Sequence, residues 1–147
     1  MNSSDRFDSL IQFYAEKHDI PFDLLKAVIR QESGFDPHAI SRVGARGLMQ
    51  MMPKTWKEWQ DGTPGIQSGP QLDPNSPENS IRAGTSYLDW LIDKFHDIRK
   101  SLAAYNWGPR NLGKIEHDSN WLDRVPKETH DYVERICNGI KQICDGK

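Results

Sequence analysis

Apolar residues recur at three- and four-residue steps along most of the chain, the spacing of one face of a helix. From Ser4 to His18, Phe7, Leu10, Ile11 and Tyr14 mark such a face, and Ile20-Pro21 ends it. A second helix is predicted from Phe22 to Ser33, where Gly34 is a natural stop and Asp36-Pro37 signals a turn. The small-residue run Gly44 to Gly47 opens a third, predicted over Gly47 to Trp59, with Pro53 kinking or dividing it.

Asp61 to Pro74 carries three Gly and three Pro and reads as one long loop, of a length often used for binding. Ser76-Pro77-Glu78 then has the form of an N-cap with proline in the first turn. Its helix shows Ile81, Gly84, Leu88, Leu91, Ile92 and Phe95 along one side. A short helix is predicted over Arg99 to Asn106, ended by Gly108-Pro109, and a turn over Asn111 to Glu116. A last helix, Lys127 to Cys144, places Tyr132, Val133, Ile136, Ile140 and Ile143 at helical steps. Strand-like alternation is nowhere sustained, and no internal repeat or low-complexity tract occurs. The expectation is an all-α fold and a single domain over residues 1–147.

At 147 residues, 36% hydrophobic and 27% charged, the chain is long enough to bury a core. A net charge of -2, with both signs alternating, gives no general attraction to nucleic acid. No apolar run approaches the roughly 20 residues that span a membrane, and no basic-then-apolar start marks a signal peptide. No motif calls for a metal or an organic cofactor, and a monomer is the default.

Cys137 and Cys144 are the two cysteines. On one straight helix, seven residues separate them by about 10 Å of rise, beyond the roughly 7 Å between Cα atoms that a disulfide tolerates. Unless the helix ends between them, they are free thiols or packing residues.

One residue departs from the pattern. Leu25, Val28 and Ile29 form an apolar face, and Glu32 continues it at the next helical step. A carboxylate there is unusual, and it sits at the negative end of the helix dipole. Both effects disfavour the charged form and should raise its pKa, as a general acid requires. A groove-edge Glu, or one satisfied by a buried Arg, fits the same pattern.

Gln31-Glu32-Ser33-Gly34-Phe35-Asp36-Pro37 resembles the segment around the catalytic glutamate of lytic transglycosylases of the soluble (Slt) type. The resemblance continues through Gly44-Ala45-Arg46-Gly47-Leu48-Met49-Gln50-Met51-Met52-Pro53 and Ala104-Tyr105-Asn106. It ends in Pro126-Lys127-Glu128-Thr129 with Tyr132-Val133. The blocks stand in the family's order from about Leu24 to Ile136. Trp107, where the family usually has a small residue, and Arg110, in place of a common glycine, depart from its pattern.

The resemblance implies a goose-lysozyme-like fold with a substrate groove and Glu32 as the sole catalytic acid/base. It further implies that Gln50 and Asn106 line the sugar cleft, Met49 and Tyr105 form its walls, and Tyr132 hydrogen-bonds Glu32. Ser33, beside Glu32, is a substrate-site candidate that could equally support Glu32 or the helix end. On residue type alone, Gln50 either binds sugar or ties down backbone, Asn106 either ends a helix or donates to an acetamido group, and Tyr132 reads as core. Asp36 and Asp73 read as turn formers and Glu58 as a solvated side chain. Among the tryptophans, Trp107 is the best placed to reach a groove.

Ordinary glycosidases use two carboxyl groups, whereas the resemblance implies one. Glu32 would protonate the oxygen between N-acetylmuramic acid and N-acetylglucosamine, then take the proton from the muramoyl C6 hydroxyl as it attacks C1. A 1,6-anhydromuramoyl end would result. A lysozyme-type hydrolase and a non-catalytic peptidoglycan-binding component of a phage or secretion machine are the alternatives. The expected partner is peptidoglycan and the expected location the periplasm, the cell envelope or a phage particle.

Overall fold

Left-handed residues and prolines set where the helices of this chain start and stop. The computed structural model describes residues 3–63 and 71–146. Among them every regular element is helical, and the pairings Ile40 with Arg46 and Arg46 with Met51 are isolated bridges. None of these helices is long and apolar enough to cross a membrane. Two compact units, Met1–Tyr87 and Leu88–Lys147, divide the chain within one long helix.

In the first unit, α1 (Asp8–His18) ends on Asp19, whose φ of 54° is left-handed and whose N–H reaches the carbonyls of Ala15 and Glu16. Helix α2 (Phe22–Ser33) follows Pro21 and stops at Gly34, φ 60°, whose N–H returns to the Arg30 carbonyl. Such a C-terminal cap suits glycine because it lacks a Cβ. The two helices pack together. Their buried residues include Ile11, Tyr14 and Ala15 on α1 and Leu24, Leu25, Val28 and Ile29 on α2. Each fully buried aliphatic side chain of this kind contributes about 1.5–3 kcal/mol. Lys26 adds ion pairs at 2.9 Å to Asp5 and Asp8, of the sort that contribute little when solvated.

The helix predicted over Gly47 to Trp59 is shorter than expected. Gly47 (φ 84°) and Gln50 (φ 48°) are both left-handed, a conformation an α-helix cannot contain. Residues 47–50 instead make a tight turn, closed by Arg46 and Met51 exchanging backbone hydrogen bonds at 3.1 and 3.2 Å. Helix α3 (Pro53–Trp59) begins at the proline. Pro53 thus starts the helix rather than kinking it, because the first position has no N–H bond to lose. Met51, Trp56, Trp59 and Ala83 form a core cluster, with Leu72 and Tyr87 against it.

Of the loop predicted over Asp61 to Pro74, residues 64–70 lie outside the described residues. On either side, Asp61 accepts from the Thr63 N–H and Asp73 from the Asn75 N–H, two side-chain-closed turns. Helix α4 (Pro77–Phe95) starts as expected, with the Ser76 hydroxyl accepting from the Asn79 N–H at 3.4 Å. Its first half belongs to the first unit. There Tyr14 donates to Glu78, the Arg82 guanidinium to the Gln60 carbonyl, and Ser80 accepts from the Met49 N–H.

The second unit begins inside α4. Asp97 caps α5 (Ile98–Trp107) by accepting from the Lys100 N–H at 2.9 Å. Helix α5 is lined with the small or buried residues Ser101, Leu102, Ala103 and Ala104, and it packs on α6 (Pro109–Gly113) and α8 (Lys127–Cys137). A single turn, α7 (Trp121–Arg124), was not marked by periodicity.

The last predicted helix is two. Helix α8 ends at Cys137, Asn138 and Gly139 turn the chain, and α9 runs Lys141–Cys144. The break brings the two Cα atoms to 5.9 Å and the cysteines are joined as a disulfide. The condition set by the sequence, a helix ending between them, is the one realised. Arg99 ties the same end down through Glu134 at 3.4 Å and Asp145 at 2.8 Å.

Candidate functional site

Four of the candidate residues fall in the first unit, Glu32 and Ser33 on α2 and Met49 and Gln50 in the 47–50 turn. Glu32 lies in the last turn of α2, one helical step beyond the buried Leu25, Val28 and Ile29, and is half-buried rather than sealed in the core. Next to it, the Ser33 hydroxyl donates to the Ile29 carbonyl at 3.2 Å. That back-bond holds the hydroxyl against its own helix and supports the helix end.

The chain leaves α2 through two consecutive left-handed residues, Gly34 and the buried Phe35, φ 67°. Asp36 then accepts from the His38 N–H at 2.9 Å, closing the expected turn. This path leads to Ala39, whose carbonyl accepts from the Gly47 N–H at 3.0 Å.

Gln50 is where the two readings of its residue type meet. Its side-chain nitrogen donates to the carbonyls of Ala39, at 3.0 Å, and Gly47, at 2.9 Å. Both amide hydrogens are therefore spent on backbone. The side-chain oxygen has no hydrogen-bond partner among the described residues, is not among the buried unsatisfied atoms, and belongs to a half-buried residue. Gln50 ties down backbone with one end and offers an acceptor with the other.

Met49 is placed differently from its expected role as a cleft wall. It is 0% exposed, so it offers no surface to a ligand in this structure. Its N–H donates to Ser80, Thr85 donates to its sulfur, and a Cβ placed on Gly84 would lie 2.7 Å from its Cβ. Met49 packs beneath the 47–50 turn, against α4. Gly47 is equally confined, since a Cβ there would meet the Ser80 hydroxyl at 2.9 Å and the Pro74 carbonyl.

The second unit holds Tyr105, Asn106 and Tyr132. Tyr105 and Asn106 are half-buried at the end of α5, where Gly108 (φ 105°) stops the helix by returning its N–H to the Ala104 carbonyl. Tyr132 is buried, 4% exposed, on the inner face of α8. One turn earlier on that face, Thr129 is 2% exposed and donates its hydroxyl to the Asn106 side-chain oxygen at 2.8 Å. Periodicity and residue type assign Thr129 no role. Its signal was a hydroxyl three residues before Tyr132 on an otherwise apolar face. Trp107 is half-buried, and its carbonyl accepts from the Asn111 amide at 2.8 Å.

Depressions also lie away from these residues. One of about 800 Å³ in the second unit is lined by Ile92, His96, Arg99 and Cys144 among others. One of about 340 Å³ in the first is lined by Arg46, Met51, Trp56, Lys57 and Leu72 among others. Neither is lined by any of the candidate site residues. Among the described residues no cluster of three or more His, Cys, Asp or Glu has the arrangement to hold a metal ion.

The family model described as the transglycosylase SLT domain matches residues 9–126. The soluble lytic murein transglycosylase of Escherichia coli (strain K12) is 35% identical over 142 residues, taking in 88% of this chain and 22% of that protein. The peptidoglycan transglycosylase gp16 of Escherichia phage T7 is 35% identical over 152 residues, 99% of this chain and 11% of the phage protein. This chain therefore spans well under a third of the length of these relatives.

Among solved structures, an inactive mutant of the lytic transglycosylase Slt from Pseudomonas aeruginosa superposes with a TM-score of 0.79. It is 29% identical, over 90% of this chain and 23% of that one. A 70-kDa soluble lytic transglycosylase in complex with bulgecin A gives a TM-score of 0.77 at 32% identity, with the same two coverages. The helical architecture expected from the sequence is the lysozyme-like one of these neighbours. The chain belongs to the transglycosylase SLT domain family.

Proposed function

We propose that this chain is the catalytic domain of a lytic transglycosylase that cleaves the β-1,4 bond between N-acetylmuramic acid and N-acetylglucosamine in peptidoglycan. The observation that carries the reading is Glu32, a half-buried glutamate set at the end of an otherwise buried helical face, within the segment matched by the SLT domain model. The names of the relatives supply the substrate class: they are murein or peptidoglycan transglycosylases.

In this reading Glu32 acts twice. As the acid, it gives its proton to the glycosidic oxygen as the bond to the muramoyl C1 breaks. As the carboxylate, it takes the proton of the muramoyl C6 hydroxyl while that oxygen bonds to C1. The proton lost by Glu32 is restored, no water is consumed, and the product is a 1,6-anhydromuramoyl end. The substrate's own N-acetyl group supports the positive charge developing at C1, in place of a second carboxyl.

Gln50 and Asn106 bind sugar, one through its side-chain oxygen and the other as donor to an acetamido group. Tyr105 and Tyr132 contribute to the substrate site, Ser33 steadies the helix end beside Glu32, and Met49 supports the turn from below. The chain works as one domain and as a monomer, in the periplasm or cell envelope or as part of a phage particle.

Mass analysis of digests of purified peptidoglycan tests this. The wild type should release muropeptides lighter by one water than hydrolysed ones, and Glu32→Gln should lower release by a factor of about 100 or more. Products carrying the extra water would show a lysozyme-type hydrolase instead. Equal release by wild type and variant would remove Glu32 from the chemistry.

A further inference from the structure

The Asn106 side chain could in principle face its surroundings with either end of its amide, because oxygen and nitrogen occupy nearly the same space. The structure removes that freedom. Thr129 is 2% exposed on α8, and its hydroxyl donates to the Asn106 oxygen at 2.8 Å. Among the described residues that oxygen is the hydroxyl's only hydrogen-bond partner. Turning the amide over would make the nitrogen the donor and leave the buried hydroxyl proton with no acceptor. An unmade hydrogen bond of a buried group is disfavoured more than a made one is favoured.

The consequence falls on the other end of Asn106. Its nitrogen has no partner among the described residues and is not among the buried unsatisfied atoms. It therefore keeps two hydrogens available at a half-buried position at the end of α5. Gln50 is held in the opposite sense. Both its hydrogens are engaged by the Ala39 and Gly47 carbonyls, leaving its oxygen as the available end.

We infer that Thr129 is a positioning residue: it locks the Asn106 amide with its nitrogen outward, so that the sugar group met there must be a hydrogen-bond acceptor. This rests on the proposed function for the identity of the ligand. The lock itself is a property of the chain alone. Thr129 touches no substrate and acts only through Asn106. The locked amide offers a donor without first having to choose between two orientations, and that is where the gain in binding arises.

The test uses the full chain, soluble glycan strands and three variants. Thr129→Val keeps the shape and removes the hydroxyl. Thr129→Ser restores the hydroxyl. Asn106→Asp keeps the acceptor for Thr129 but removes the outward donor. Thr129→Val should raise KM about 3- to 10-fold with kcat changed less than about twofold, and Thr129→Ser should return KM to near the wild-type value. Asn106→Asp should raise KM at least as far.

The side-chain amide signals of Asn106 in ¹⁵N-labelled protein provide a readout independent of activity. They should shift and broaden in Thr129→Val and stay in place in Thr129→Ser. Unchanged amide signals in Thr129→Val overturn the lock, whether or not the protein cleaves glycan. So does an unchanged KM in that variant, or a fall in kcat and melting temperature that Thr129→Ser does not repair. A wild type that leaves the strands intact while the amide signals behave as expected counts against the proposed function and leaves the lock standing.

Discussion

The Gln50 side chain donates to the Ala39 carbonyl at 3.0 Å across eleven residues of chain, and its second amide hydrogen goes to Gly47 at 2.9 Å. One side chain thereby ties Ala39, in the segment after α2, to Gly47 in the 47–50 turn. It also fixes which of its own ends stays available. A glutamate here would place oxygen against two carbonyl oxygens. Gln50→Glu should therefore be more destabilising at neutral pH than Gln50→Ala, which should itself lower stability by about 1–3 kcal/mol. The gap between the two should narrow as the pH falls and the introduced carboxyl protonates. Denaturant melts at neutral and acid pH check this, and equal stability of the two variants at neutral pH would contradict the clamp.

The disulfide between Cys137 and Cys144 joins α8 to α9 across a short break, and Arg99 bonds Asp145 just beyond it. A loop this short should contribute about 2–3 kcal/mol by limiting the unfolded chain. Reduction, or Cys137→Ser with Cys144→Ser, should therefore lower the melting temperature by roughly 5–10 °C. Helix content should barely change, since α9 is a single turn. Calorimetry and circular dichroism with and without reductant measure both. A loss of much of the helical signal on reduction would show the bridge holding far more than the C-terminal turn.

Burial pushes the Tyr87 phenol up to about 12, with the charge of Glu58 adding to it, and its ring packs on Trp59 at 5.6 Å between centroids. The folded value lies above the ordinary 10, so the native state holds this proton more tightly than the unfolded chain does. The stabilisation is fully present below pH 10 and is lost as the pH rises from about 10 to about 12. Alkaline melts of the wild type should fall steeply in that window, and those of Tyr87→Phe should fall less. Parallel curves for the two proteins would show that another group controls the alkaline limit.

Much of this could be read directly from the residues, and the exceptions have physical causes. Helix α2 was legible to the residue because its apolar spacing, Pro21 and Gly34 all mark the same boundaries. The helix read over Gly47 to Trp59 was too long because apolar spacing says nothing about backbone sign. The left-handed conformation of Gln50 depends on carbonyls eleven and three residues away. The last helix was overrun in the same way. Ile140 and Ile143 keep the helical period across Asn138-Gly139, and the break that permits the disulfide lies inside that period.

At the candidate site the split is similar. Glu32 stood out as a carboxyl on an apolar face, and Asn106 entered by resemblance. Thr129 was invisible as a partner because nothing local in sequence links positions 23 residues apart. Met49 sits in a block that the resemblance matched, and only packing shows it to be wholly covered.

The near-contact of Gly84 with Met49 has a consequence for how this part of the chain can vary. The methionine leaves no volume for even a methyl group on the helix facing it. The two positions are therefore free to change only as a pair: a relative that carries alanine at the position of Gly84 should carry a slimmer side chain at the position of Met49. A library randomised at both sites should recover functional variants that keep the summed volume nearly constant.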